Sequence, residues 1–263
     1  MIQNLGIYKD GWWAGTRPAV APWDLAKAIK IDLASREWEL YHVADDFSQA
    51  DNLAQSDPTK LAQMKDLFFK EAAKDHILPI HGNTEGAAGR PSLTGNRRRF
   101  VFHAGETRIP EFAAPRIVGR SYSISADVVI SPNGDDGVLI TQGGRFGGYA
   151  FYVKDDYPVF DYSTPGDRHY TTRSSDRLTP GPHQIVADFA ADSTTPGSGG
   201  ALTITVDGKP AASGRIEHTH RSWISASEGM DIGEDTLTPI NDDYTISQSK
   251  FTGELKQVVF LLE

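Results

Sequence analysis

The sequence predicts an α+β segment, a small antiparallel sheet with one helix, followed by an all-β sandwich. Three observations carry this. An Asp-Gly turn signal lies between two strand-like runs near the start. A single helix follows, with a clear cap and an apolar stripe. From Arg98 onward the hydrophobic period becomes two and does not return to helical spacing.

The first elements follow in order. Leu5–Tyr8 and Trp12–Thr16 flank Lys9-Asp10-Gly11, and Asp-Gly favours a tight hairpin because glycine tolerates positive φ. Pro18 and Pro22 mark a loop, and Glu37–Val43 reads as a third strand. Asp57 is placed to cap a helix, with Pro58 at the first helical position, where its missing N–H costs nothing. Leu61, Met64, Leu67 and Phe68 form the apolar stripe, Lys70 and Lys74 suit the negative end of the dipole, and Pro79 marks the stop. Such a stripe of methionine and aromatic residues is core packing before it is a cofactor box. Residues 83–97 are rich in Gly, Thr, Ser and Pro without periodicity and read as a linker. The expected organisation is therefore 1–82, an α+β subdomain; 83–97, a linker; and 98–263, a β-sandwich.

Within that last part Tyr122, Ile124, Ala126, Val128 and Ile130 alternate with polar residues. So do Tyr149, Phe151 and Val153, and Leu202, Ile204 and Val206 run into a second turn signal, Asp207-Gly208. Val258, Phe260 and Leu262 close the chain. Short strands separated by Gly, Pro, Asn and Asp indicate an antiparallel sandwich or jelly roll.

Composition limits the function. With 26 basic and 35 acidic residues the net charge is -9, which disfavours nucleic acid and anionic membrane surfaces as partners. There is no cysteine, so disulfides, thiolate metal sites and cysteine nucleophiles are excluded. The N-terminus shows no basic stretch followed by an apolar run, so a cytoplasmic location is the default expectation. Strand-like sequence starts at Leu5, and the chain is expected to be a piece of something longer.

Each candidate for chemistry has a plainer reading. Asp135-Asp136, Asp155-Asp156 and Asp242-Asp243 could supply calcium oxygens if their loops converged, but aspartate is also an ordinary turn residue. Asp231-Ile232-Gly233-Glu234-Asp235 is the densest acidic cluster and lacks EF-hand spacing. His218 and His220 would share a face on a strand, yet zinc needs a third ligand. Arg97-Arg98-Arg99 reads as a solvated linker end. Gly143-Gly144-Arg145-Phe146-Gly147-Gly148 suggests a phosphate cradle, but no helix follows, so a tight hairpin fits better. There is neither a Gly-x-Ser-x-Gly elbow nor a His-Glu-x-x-His motif. Paired carboxylates for glycoside chemistry stay open, since their separation is spatial.

Several stretches resemble the C-terminal part of bacterial arylsulfatases. They are Gly6-Ile7-Tyr8-Lys9-Asp10-Gly11-Trp12, Trp38-Glu39-Leu40-Tyr41, Asp45 through Ala54, Pro58 through Ala72, and Leu78-Pro79-Ile80. Trp13 stands where that family usually carries Lys. In the second part the matching pieces are Arg108-Ile109-Pro110-Glu111, Gly137-Val138-Leu139, Gly147-Gly148-Tyr149 and Phe251-Thr252-Gly253, similar to an appended sandwich of concanavalin-A or laminin-G type. The resemblance implies sulfate-ester hydrolysis by a parent enzyme whose formylglycine and calcium site lie in an absent α/β half. The formylglycine signature, Cys/Ser-x-Pro-x-Arg, is missing, and Ser163-Thr164-Pro165-Gly166-Asp167 carries Asp where Arg is required. No residue is therefore assigned a catalytic, cofactor-binding or metal-ligating role, and the chain alone is expected to be inactive, with a sulfatase catalytic domain as a partner. The other expectation is a sandwich that binds glycan or a partner surface, or one that only buttresses a neighbour.

Overall fold

The computed structural model describes residues 4–17, 36–78, 92–166, 168–225 and 227–263. The chain is mostly β, with three antiparallel sheets and one α-helix among these residues. It divides into two compact units, Met1–Pro91 and Ser92–Glu263. Pro18, Pro22 and Pro79, and the stretch 83–91 of the expected linker, lie outside the described residues. Residues 92–97 belong to the second unit. No described helix is long and apolar enough to cross a membrane.

In the first unit, β1 (Gly6–Lys9), β2 (Trp12–Thr16) and β3 (Trp38–His42) pair in that order. Asp10 and Gly11 both have positive φ, 48° and 81°, the backbone that a two-residue hairpin turn demands. The helix α1 spans Pro58–Lys74, and the Asp57 carboxylate accepts from the Lys60 N–H at 2.9 Å. Alternation puts Ile7, Ala14, Trp38 and Leu40 toward the helix, where they meet Leu61 and Met64. Phe68 adds an edge contact to Trp38 at 5.5 Å between ring centroids. Met64 and Ala72 are the buried residues of the helix, and Leu61, Leu67 and Phe68 are half-buried.

The second unit is a two-sheet sandwich. Its strands are β4 (Arg99–Phe102), β5 (Tyr122–Ile130), β6 (Gly137–Gly144), β7 (Gly147–Lys154), β8 (Tyr157–Thr164), β9 (Arg168–Arg173), β10 (Gly181–Ala191), β11 (Gly200–Val206), β12 (Lys209–Ile216), β13 (Met230–Ile232) and β14 (Glu254–Leu262). One sheet has the order β12-β11-β10-β5-β14-β4 and the other β13-β6-β7-β8-β9. The alternating residues of β5, with Ile185, Ala187 and Phe189 of β10 and Val258 and Phe260 of β14, form one wall of the core. Tyr149, Phe151, Phe160 and Tyr162 from β7 and β8 form the other.

The second sheet is covered on its outer side as well. Val138, Ala150, Tyr152 and Val159 pack there against Ile240 and Tyr244. Burial on both faces removes the alternation that marks β5, and β6 is buried at every position. The Arg97-Arg98-Arg99 run is exposed at all three positions, as its sequence predicts, and it leads directly into the sandwich. Arg97 lies over the Phe100 ring at 5.4 Å, the Arg98 carbonyl accepts from the Leu262 N–H, and Arg99 opens β4.

Antiparallel order sorts the connections of the sandwich to two ends. The β5–β6, β7–β8 and β9–β10 connections lie at one, and the β6–β7, β8–β9, β10–β11 and β12–β13 connections at the other.

Candidate functional site

The second of these ends carries a cleft of about 750 Å³. Its wall is the β6–β7 hairpin, and glycine there creates the space. A Cβ on Gly143, whose φ is 79°, would sit 2.3 Å from the Gly147 carbonyl oxygen. A Cβ on Gly147 would meet His220 Cε1 at 2.7 Å, and one on Gly144 would meet the Glu228 carboxylate at 2.9 Å. The glycine run is thus a tight hairpin, as its sequence predicts, and it lets the loop 217–229 lie directly against it.

That loop is fastened from behind. The His220 N–H donates to the Tyr162 hydroxyl at 3.0 Å, and His220 Nε2–H donates to the Ser163 carbonyl at 3.0 Å. Burial holds the His220 imidazole below its ordinary pKa and keeps it neutral. The Glu111 carboxylate accepts from the Ile224 N–H at 3.1 Å, the Ser225 N–H at 3.4 Å and Gln142 Nε2 at 2.7 Å. Thr219 Oγ1 donates to the Ser198 carbonyl at 2.7 Å, and Ile224 is buried in the core.

The outer side of the loop is left for contact. Trp223 is 54% exposed and Phe146, at the hairpin tip, 84% exposed, which is unusual for rings that bury this much area in a core. Phe112 stands edge-on to Trp223 at 6.3 Å and props it. Arg168, His218 and Arg221 line the same cleft. The arrangement offers aromatic faces, guanidinium donors and hydroxyl groups on a rigid floor, which suits a polar ligand with apolar faces.

The residues singled out by sequence fall elsewhere or do other work. His218 and His220 are in a loop, not a strand, and they diverge, one exposed on the cleft and one buried. Asp135-Asp136 and Asp155-Asp156 do converge, at the opposite end, around a shallow depression of about 550 Å³. Their oxygens are already engaged. Asp135 accepts from the Ser131 N–H at 2.6 Å and from Thr252 Oγ1 at 2.8 Å, and Asp156 accepts from the Asp135 N–H at 2.9 Å.

Asp242 pairs with Arg145 at 2.7 Å, and Asp243 accepts from the Tyr152 hydroxyl at 2.5 Å. Asp231 accepts from the Arg108 N–H at 2.5 Å and from Thr236. Asp235 is buried against the Tyr244 hydroxyl, and burial pushes its carboxyl up to about 6. Among the described residues no group of three or more His, Asp or Glu is set to hold a metal. Ser163 is buried and donates to the Arg145 carbonyl at 3.0 Å, while Asp167 lies outside the described residues. Sequence reasoning missed Trp223, Phe146, Arg168, Arg221 and Glu111. The available signal was the dense run of basic and aromatic residues from His218 to Trp223 in a stretch without strand periodicity.

No protein-family model matches the chain, and no curated protein matches it significantly. Solved structures similar to it include the CBM40 module of a Ruminococcus gnavus IT-sialidase bound to α2,3-sialyllactose, at 13% identity and a TM-score of 0.42, covering 63% of this chain and 89% of that one. Domains LG4-5 of the mouse laminin α1 chain match at 16% identity and a TM-score of 0.39, over 63% of this chain and 42% of that one. Sheep galectin-11 matches at 13% identity and a TM-score of 0.32, over 63% of this chain and 98% of that one. The arylsulfatase resemblance is corrected by these comparisons, for the neighbours are carbohydrate-binding and laminin-G sandwiches and not sulfatase domains. With it fall the sulfate-ester hydrolase reading and the sulfatase partner. The quoted stretches have local causes instead: the Asp10-Gly11 turn, strand alternation in Trp38–His42, and the Asp57-Pro58 helix start.

Proposed function

We propose that residues 92–263 form a glycan-binding β-sandwich module of the concanavalin-A or laminin-G type, with its site in the cleft between the β6–β7 hairpin and the loop 217–229. Two antiparallel sheets of six and five strands, with β4 and β14 paired in the first, support the fold assignment. The observation that carries the functional reading is Trp223: a large ring left half in solvent on a loop fixed by buried polar anchors. A rigid aromatic face loses little entropy on contact and can receive the C–H face of a sugar while the neighbouring polar groups take its hydroxyls.

The test is titration calorimetry of the full chain against lactose and α2,3-sialyllactose, backed by a glycan array. Binding that weakens at least tenfold in Trp223→Ala, with an unchanged melting temperature, is the expected result, since central aromatic anchors dominate such contacts. Absence of binding to any arrayed glycan would end the reading.

A further inference from the structure

The chain carries a net charge of -9, yet the cleft end of the sandwich presents arginines that no carboxylate among the described residues neutralises. Arg168 and Arg221 line the main cleft, and Arg98 and Arg120 line a second one of about 850 Å³ across the loop 192–199. None of the four enters an ion pair among the described residues. The carboxylates nearby are engaged. Asp192 and Glu217 are both held by Arg215, at 2.6 and 3.1 Å. Glu111 is occupied by the loop N–H groups, and Glu228 accepts from the Thr238 N–H at 3.1 Å. Only Glu263, on the second cleft, has no such cation or donor beside its side chain among the described residues.

Arginines elsewhere on the sandwich are treated differently. At the opposite end Arg173 lies 3.7 Å from Asp155 and Arg177 lies 4.0 Å from Asp156. Arg221 is also aimed: its stem lies on Gly197, where a Cβ would come within 2.7 Å of Cγ. A guanidinium with a fixed stem and no partner is prepared for a bidentate anion, because its planar fork matches carboxylate and sulfate oxygens.

Resting on the glycan-binding reading, we infer that the cleft selects anionic glycans, with Arg168 and Arg221 taking carboxylate or sulfate groups beside the Trp223 ring. A longer acidic chain continues over the loop 192–199 toward Arg98 and Arg120. Loop 217–229 is tied to that neighbouring loop by the Thr219–Ser198 hydrogen bond, so the two clefts share a wall.

The experiment compares lactose, α2,3-sialyllactose, 3′-sulfolactose and heparin oligosaccharides of increasing length by calorimetry, at about 50 and about 300 mM salt. Acidic ligands are expected to bind roughly tenfold or more tighter than lactose at the lower salt, with the gap narrowing at the higher, and affinity should rise with oligosaccharide length. Arg168→Gln and Arg221→Gln, both on exposed side chains, should each remove most of that preference, weakening the acidic sugars far more than lactose. Arg173→Gln, with the same change in net charge at the opposite end, should leave the preference intact. Sialyllactose against sulfolactose separates a carboxylate site from a sulfate site. If lactose binds as tightly as the acidic sugars, or Arg173→Gln acts like Arg168→Gln, the inference fails and the glycan reading survives. If no member of the panel binds, the inference fails, and the glycan reading is decided by the array.

Discussion

The two ends of the sandwich use polar residues in opposite ways. At the β5–β6 and β7–β8 end, aspartates accept from backbone N–H groups of their own and neighbouring turns and are flanked by Lys154, Arg173 and Arg177. That end is rich in charge and closed on itself. At the other end, Glu111 and His220 hold a loop from below, while Trp223, propped by Phe112, and Arg168 and Arg221, without an ion pair among the described residues, line the cleft. The difference teaches where to look for a site: charge density marks folding work here, and the exposed, unpaired side chains mark the proposed site.

Removing an anchor from the open end should produce the largest effect. Glu111→Ala strands two loop N–H groups and the Gln142 amide, all of which now share one carboxylate. Each stranded donor costs about 1–3 kcal/mol where buried, so a loss of roughly 3–5 kcal/mol is expected, with glycan affinity collapsing because Trp223 loses its mount. Urea unfolding and calorimetry on the same sample check both halves. Retained affinity would show that the loop does not depend on this anchor.

At the closed end the same kind of change should affect stability alone. Asp135 is buried and its two oxygens serve Ser131 and Thr252. Asp135→Ala should cost about 3 kcal/mol, from two bonds to a charged acceptor, and leave glycan affinity within twofold. An affinity loss comparable to that of Glu111→Ala would erase the distinction between the ends.

Much of the scaffold was legible in sequence because it is encoded locally. The Asp10-Gly11 turn, the Asp57-Pro58 helix start and the alternation of β5 each depend on residues within a few positions of one another. Strand β8 was not, because Tyr152, Val159 and Ile240 bury its outer side and Asp161 sits in its middle, bonded to His169, Thr171 and Asn241. The cleft was not legible either. It brings Phe146 and Trp223 from two connections together with Arg168 at the start of β9, and what distinguishes them is exposure, which single-residue chemistry does not announce. The acidic pairs drew attention for their charge, whereas the structure shows three of those aspartates, Asp135, Asp136 and Asp156, accepting hydrogen bonds within one turn cluster.

Acid should move the two ends in opposite directions. Asp235 lies past β13 toward the closed end, with its carboxyl raised to about 6 from the usual 3.8. The folded state therefore binds its proton more readily than the unfolded one. This group's stability contribution is complete below about 4 and is lost as pH rises to about 6, by roughly 3 kcal/mol at most. His220 has the reverse sign: its folded pKa lies below the unfolded value near 6.5, so its contribution is present above that value and fades as pH falls below it. Urea unfolding of wild type and Asp235→Asn from about pH 4 to pH 7.5 isolates the first effect, since other carboxylates cancel in the difference. A difference that does not vary with pH would remove Asp235 as its source. Glycan affinity measured in parallel should decline toward the acid limit as the His220 anchor charges.

The smallest expected effect is that of calcium. A calcium ion needs six to eight oxygens, and recruiting Asp135, Asp136 and Asp156 would mean breaking their bonds to Ser131, Thr252 and each other's N–H groups. Lys154, Arg173 and Arg177 already supply the positive charge that the cluster requires. Millimolar calcium should accordingly shift the melting temperature by less than about 1 °C, because a ligand stabilises only through its preference for the folded state. Glycan affinity should be the same with a chelator present. A rise of several degrees would mean that the closed end can reopen its turns around a metal, and the contrast between a self-satisfied end and a ligand-ready end would then have to be redrawn.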